Sequence, residues 1–212
     1  MVDRHLLRAV RDEISELKRQ NRILQIENDR LWKIIGLLND LQEGLQTFYT
    51  SSDLQQLMMD ILQISLEAAR SRNGSVMLLD EEENQLVFVA VVGERQKELT
   101  DYRIPANAGI AGWVKENQKP ALVLDVRKDD RWLSMVDQSI GFHTCCLMAV
   151  PLQLGGKVLG VMEVVNSLTE THFEHKDLAL LQLVAGMSSM IIGCAEEAIQ
   201  EAQTLISKSS LN

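Results

Sequence analysis

Cysteine, proline and aromatic residues are all scarce in this chain of 212 residues, which holds three Cys, three Pro, three Trp, two Tyr and four Phe. Two of the cysteines adjoin, Cys145 and Cys146, and the third is Cys194. That is neither a disulfide framework nor a zinc-ligand spacing, so a reducing, cytoplasmic setting is expected. A basic block is missing too. Residues 1–45 carry 8 Lys/Arg against 8 Asp/Glu, and residues 46–212 carry 13 against 22, so the formal charge of −9 resides in the second part. With a pI near 5.0, direct nucleic-acid binding is not expected, because phosphate neutralisation needs clustered Lys and Arg. By eye, no apolar run reaches the roughly 18–20 residues of a membrane span. The N-terminus is charged throughout and does not read as a signal peptide.

What the first 46 residues do have is a heptad repeat. With Leu7 as position a, the a sites are Leu7, Ile14, Asn21, Asn28, Ile35 and Gln42, and the d sites are Val10, Leu17, Leu24, Leu31, Leu38 and Leu45. Five leucines at seven-residue spacing, with no Pro and no Gly before Gly36, predict a coiled-coil helix. Straight, it spans about 58 Å at 1.5 Å per residue. Leu at d with Ile at a favours two parallel strands. Asn21 and Asn28 in the seam bond across it only in register, trading stability for orientation. Glu13 at g and Lys18 at the next e pair between chains for about 0.2–1 kcal/mol. The expected dimer interface is therefore Ile14, Leu17, Asn21, Leu24, Asn28, Leu31, Ile35 and Leu38. Only Asp3, Arg4 and His5 precede the first heptad, too little for the basic helix of a DNA-binding zipper. From Trp32, Ile34 and Leu37 the apolar face widens, which suits contact of the last heptads with the second domain.

Residues 47–205 read as one α+β domain, with 206–212 as a tail. A helix capped by Ser51, Ser52 or Asp53 runs through Leu54, Leu57, Met58, Ile61, Leu62 and Ile64 to about Arg70. Asn73-Gly74 is expected to break that helix, and strands follow at 75–80 and 85–92, joined by an acidic turn. A short helix is expected at 109–117, a strand at 120–124, and a short helix or irregular segment at 129–138. Strands at 145–154 and 157–166 flank Gly155-Gly156, a pair suited to a tight hairpin. A last helix runs from about Glu174 to Leu205, with Thr171 and Glu174 placed for a capping box. Antiparallel hairpins bracketed by helices predict a central antiparallel sheet with helices segregated to its faces.

Gly109–Val114 (GIAGWV), Lys119-Pro120, Asp125, Asp129–Trp132, Gly141-Phe142, Ala149–Leu152, Gly156–Val161, Val165-Asn166, Phe173 and Asp177 follow one another in an order and spacing that resemble the GAF domain. The resemblance covers roughly residues 50–197. It implies a sensory module whose antiparallel sheet carries terminal helices on one face and, on the other, middle helices and loops enclosing a ligand pocket. Cyclic-nucleotide-binding members carry Asn-Lys, then Phe, three residues and Asp-Glu. Here Asn166, Phe173 and Asp177 are kept, while Ser167 stands for the Lys and Leu178 for the Glu. By the same resemblance Phe142 matches a purine-stacking aromatic and Thr144 a hydroxyl near phosphate. Ser75, Asp137 and Glu163 match polar contacts, and Ile140 stands where the nucleotide binders have a hydroxyl.

The expected function is a dimeric cytoplasmic signal-transduction module that binds a small molecule and relays occupancy through its terminal helices to an unidentified partner. A scaffold without ligand and a cyclic-nucleotide sensor are the alternatives; the cofactor is otherwise unknown, a cyclic nucleotide or another small metabolite. Phe142 serves equally as a packing residue, and Trp113 and Trp132 are expected to pack rather than to contact a ligand. In adjacent strand positions, one of Cys145 and Cys146 is expected to face the pocket and the other the opposite layer, both as small buried hydrophobes. Some GAF proteins reduce free methionine sulfoxide with cysteines on separate pocket loops, an arrangement this spacing lacks. No Ser/His/Asp set marks an enzyme. His143, His172 and His175 share no metal-binding spacing, and Asp80–Glu83 lacks the order of an EF-hand.

Overall fold

Alternation along the strands sets the architecture. On the last strand, Val161 faces one side of the sheet, while Met162 and Val164, fully buried, face the other. Both sides of such a strand need cover, and the chain supplies it from different elements. The computed structural model describes residues 4–44, 51–168 and 172–209. The chain divides into two compact units, 1–39 and 40–212.

The described residues of the first unit belong to α1 (Arg4–Gly44), an uninterrupted helix of 41 residues. Ile14, Leu17, Leu24, Leu31 and Ile35, at heptad positions a and d, are between 44% and 63% exposed, and Asn21 and Asn28 are exposed as well. The side chains of Leu7 and Leu38, and all of Leu45, lie outside the described residues. Ion pairing within the helix, such as Arg19 to Glu16 at 2.7 Å, occupies other positions.

The second unit is built on six antiparallel strands in the order β3-β2-β1-β6-β5-β4. They are β1 (Ser71–Asp80), β2 (Gln85–Val92), β3 (Arg103–Pro105), β4 (Ala121–Val123), β5 (Leu147–Leu154) and β6 (Lys157–Ser167). Helices α2 (Ser51–Ala69) and α6 (His175–Ser209) pack on one face and on each other. The short helices α3 (Gln96–Leu99), α4 (Gly109–Asn117) and α5 (Met135–Ile140), with their loops, belong to the other. The expected α+β class, with helices segregated to the faces of an antiparallel sheet, is what the chain forms.

The helix-covered face buries Met58, Ile61, Leu62 and Leu66 of α2 and Leu181, Val184 and Ile192 of α6, each contributing about 1.5–3 kcal/mol. Polar groups admitted there are satisfied locally: Ser65, Ser188 and Ser189 donate to carbonyls four residues back, at 2.7–2.9 Å. The His175–Cys194 stretch of α6 is, by length and composition, apolar enough to cross a membrane (mean hydropathy 1.6), although no such run was expected from the sequence. Half of it is buried against the domain, as in the core helix of a globular fold.

Several elements differ from expectation for identifiable reasons. Helix α2 ends at Ala69, next to the expected Arg70, but β1 already starts at Ser71, so Asn73-Gly74 lies inside the strand rather than before it. A Cβ on Gly74 would stand 2.6 Å from the Glu163 carbonyl oxygen and 2.9 Å from Leu66 Cδ2, so the glycine marks a close approach of α2 and β6. Helix α3 and strand β3, four and three residues long, carry too little periodicity to be read from sequence. The final helix starts at His175. Thr171 of the expected capping box lies outside the described residues; instead Asp177 accepts the Glu174 N–H at 2.9 Å, the reciprocal half of such a box. Gly155 and Gly156 do form the tight β5–β6 turn, both at positive φ.

Candidate ligand pocket

A β-bulge aims the pocket's floor. Between Val76 and Met77 the register of β1 with β2 shifts, so Val76 faces Ala90 while Met77 faces Phe88, leaving Val89 as the extra residue. The slip puts Phe88 and Val91 in one buried cluster, which strict alternation would forbid. They join Met77, Leu86, Leu147, Ala149 and Val161 under α4, through Ile110, Ala111 and Val114. Gly112 lets α4 lie directly on the Asn107 backbone, with no room there for a Cβ.

Above this floor is a cavity of about 130 Å³. Its walls are mostly apolar, with Phe88, Ile104, Ile110, Trp132, Ile140 and Phe142 among them. Ser75, Asp137, Phe142, Thr144 and Glu163, the five residues singled out from the sequence, all line it. They come from β1, α5, the segment before β5, and β6, so the fold brings together positions 88 residues apart in the chain. Trp132 lines the cavity as well, while Trp113 carries the Arg131 guanidinium 4.2 Å over its ring. Arg131 in turn pairs with Asp129 at 2.6 Å, which holds the Asp129 carboxyl below the usual range. This bracket fixes the start of the loop carrying Trp132 and Leu133 over the cavity.

Asp137 organises the polar side. Its Oδ2 accepts the Thr144 N–H at 2.7 Å and its Oδ1 the Thr144 hydroxyl at 2.9 Å. Its carbonyl accepts the Phe142 N–H at 2.9 Å, and Gly141, in the left-handed region, ends α5 between them. Asn166 clamps the same segment from below. It sits at φ 58°, accepts the Cys145 N–H at 2.7 Å and donates to the His143 carbonyl at 2.8 Å. The motif asparagine is thus a positioning residue for Thr144. Phe173 is buried at the entry to α6 and Asp177 caps that helix; neither lines the cavity.

Glu163 is the electrostatic anomaly. It lies on β6 opposite Ser75 and Ala149, and its remaining accessible surface belongs to the cavity wall. No hydrogen bond reaches its carboxyl among the described residues. Burial, reinforced by the nearby Asp137 charge, pushes its pKa up to about 7. Arg95, which no sequence pattern marked, is the third charged group on the wall. One terminal nitrogen donates to the Gly141 carbonyl at 3.1 Å and the other reaches Glu98 at 3.4 Å, while its buried Nε–H has no partner.

The cysteines correct an expectation. Cys145 is exposed and Cys146 buried, and neither lines the cavity, because the segment of Thr144 turns that hydroxyl inward and the thiols away. Among the described residues no group of three or more His, Cys, Asp or Glu is placed to hold a metal.

The sequence and the fold have parallels among known proteins. The chain is 27% identical over 167 residues to the cone cGMP-specific 3',5'-cyclic phosphodiesterase subunit alpha' of Gallus gallus, covering 75% of this chain and 19% of the relative. It is 29% identical over 164 residues to the rod cGMP-specific subunit alpha of Homo sapiens, with the same coverage. The chain thus spans about a fifth of the length of these curated relatives. In structure it is similar to the GAF domain of a phosphoenolpyruvate-protein phosphotransferase from Coxiella burnetii (TM-score 0.66, 18% identity, 77% of this chain and 95% of that one). It is also similar to free methionine-R-sulfoxide reductase from Neisseria meningitidis in complex with its substrate (TM-score 0.62, 17% identity, 78% and 91%). The GAF domain profile matches residues 51–192, the stretch that builds the sheet, its two covering helices and the cavity walls; the chain belongs to the GAF domain family.

Proposed function

We propose that this chain is a dimeric signal-transduction module whose GAF domain binds a small molecule in the cavity and passes its occupancy to the terminal helices. One observation carries the reading: polar and aromatic groups from four separate elements converge on a space that side chains leave open. A scaffold that only held partners together would gain by filling such a space, since every void forfeits packing energy. The exposed seam of α1, with leucines at d and Asn21 and Asn28 at a, supports a parallel homodimer. Three free thiols fit a reducing, cytoplasmic setting. A regulatory role is favoured over catalysis, because no thiol lines the cavity.

A cyclic nucleotide is the second reading, favoured by the phosphodiesterase relatives and by the retained Asn166, Phe173 and Asp177. Against it stand Ser167, Ile140 and size: 130 Å³ falls short of the roughly 300 Å³ at which ligand pockets usually begin. A nucleotide requires α5 and its flanking loop to swing outward. Thermal unfolding with a metabolite panel that includes cAMP and cGMP tests both readings. A cavity ligand raises the melting temperature of the wild type and leaves the cavity-filling Ile140→Trp variant unmoved. Equal shifts in both, or none with any compound, would overturn the proposal.

A further inference from the structure

Two carboxyl groups and one guanidinium are the charged groups on the cavity wall: Glu163 from β6, Asp137 from α5 and Arg95 from the residue before α3. Neither strand flanking Glu163 opposes it with charge, since its register partners are Ser75 and Ala149. Arg95 spends its two terminal nitrogens on the Gly141 carbonyl and Glu98, and its buried Nε–H is left without a partner. Asp137 spends one lone pair of each oxygen on Thr144. Glu163 receives no donor, although it sits among apolar walls where an unpaired ionised carboxylate is costly. The arrangement is half of an ion pair.

We infer that the cavity selects a compact organic cation, an amidinium or ammonium on a small apolar body, with Glu163 as the specificity-determining residue. This rests on the reading of the cavity as a ligand site and names the class it takes. A cation answers Glu163 directly and relieves its repulsion with Asp137, and two aromatic residues, Phe142 and Trp132, line the same space. An anion faces two carboxyls instead. The size agrees: a cavity of about 150 Å³ holds one benzene, close to the 130 Å³ here.

Protonation then follows from the sign of the linkage. Without a cation Glu163 titrates near 7. The ionised form that a cation needs rises from about one tenth at pH 6 to about nine tenths at pH 8. Cation affinity therefore climbs nearly tenfold over that interval, and binding below pH 7 releases a proton.

Benzamidine, benzamide and benzoate have one shape and three charges, and isothermal titration of the full chain with each tests the inference. Benzamidine should bind best, tighten nearly tenfold from pH 6 to 8, and release a proton when heats are compared in buffers of different ionisation enthalpy. Glu163→Gln, nearly isosteric, should lose at least tenfold for benzamidine at pH 8 and abolish the proton release while still binding benzamide. The proton release needs no variant, so a misfolded substitution does not blunt the test. Preference for benzamide or benzoate, or benzamidine binding with no pH dependence, overturns the inference and leaves the cavity reading standing. Failure of all three to bind overturns both.

Discussion

At the scale of single residues, a few side chains have energies that pull against the fold. Glu163 is one. Its pKa lies near 7 in the folded chain against 4.5 when free, so the folded state holds the proton more tightly. The sign follows: no penalty exists below about pH 4.5, and stability falls as pH rises through 7, by at most about 3 kcal/mol. Glu163→Gln should therefore stabilise the ligand-free protein at pH 8 and flatten its stability between pH 5 and 8, as read from urea unfolding at several pH values. Asp137→Asn removes the second cause of the shift but not the first, burial, so the Glu163 titration followed by carboxyl NMR should move part of the way back toward 4.5. Asn166 supports by geometry rather than charge. Asn166→Gly keeps the positive φ and loses both clamps on residues 143–145. A loss of about 1–3 kcal/mol, together with weaker ligand binding, is expected in unfolding and titration experiments.

At the scale of elements, close backbone approaches hold the layers in place. A Cβ on Gly160 of β6 would run into the Met77 carbonyl oxygen of β1, and strands cannot separate locally without losing the ladder. Gly160→Ala should cost about 1–3 kcal/mol or more, seen as a lower denaturant midpoint with an unchanged slope. This level was only partly legible. The long helices, the hairpin at Gly155-Gly156 and strand β2 stand out because periodicity and turn chemistry agree there. Gly74 misplaced the start of β1, because a glycine that permits close packing inside a strand looks, in sequence, like one that ends a helix. The bulge at Val89, which sets Phe88 and Val91 on one side, leaves no local signature. Arg95 was missed for the same reason: its role depends on the Gly141 carbonyl, 46 residues away. The five pocket residues were found through family resemblance, since nothing in their spacing alone joins β1 to β6.

At the scale of the whole molecule, the proposal joins a cavity to a pair of rods. Leu17→Lys with Leu24→Lys places four charges in the seam of a dimer and should yield monomers by sedimentation, with the fold of residues 40–212 intact by circular dichroism. Asn21→Ile with Asn28→Ile should raise the melting temperature yet loosen the parallel register, read out as mixed orientations in cross-linking. Both outcomes concern the rods. The ligand reading stands or falls with the cavity, and its sharpest test is mass spectrometry of small molecules released from this chain when freshly purified. The account predicts a defined compound, up to one per chain, that is absent from the Ile140→Trp variant prepared in the same way. Polypeptide alone from the wild type, or the same compound in equal amount from both proteins, would contradict it.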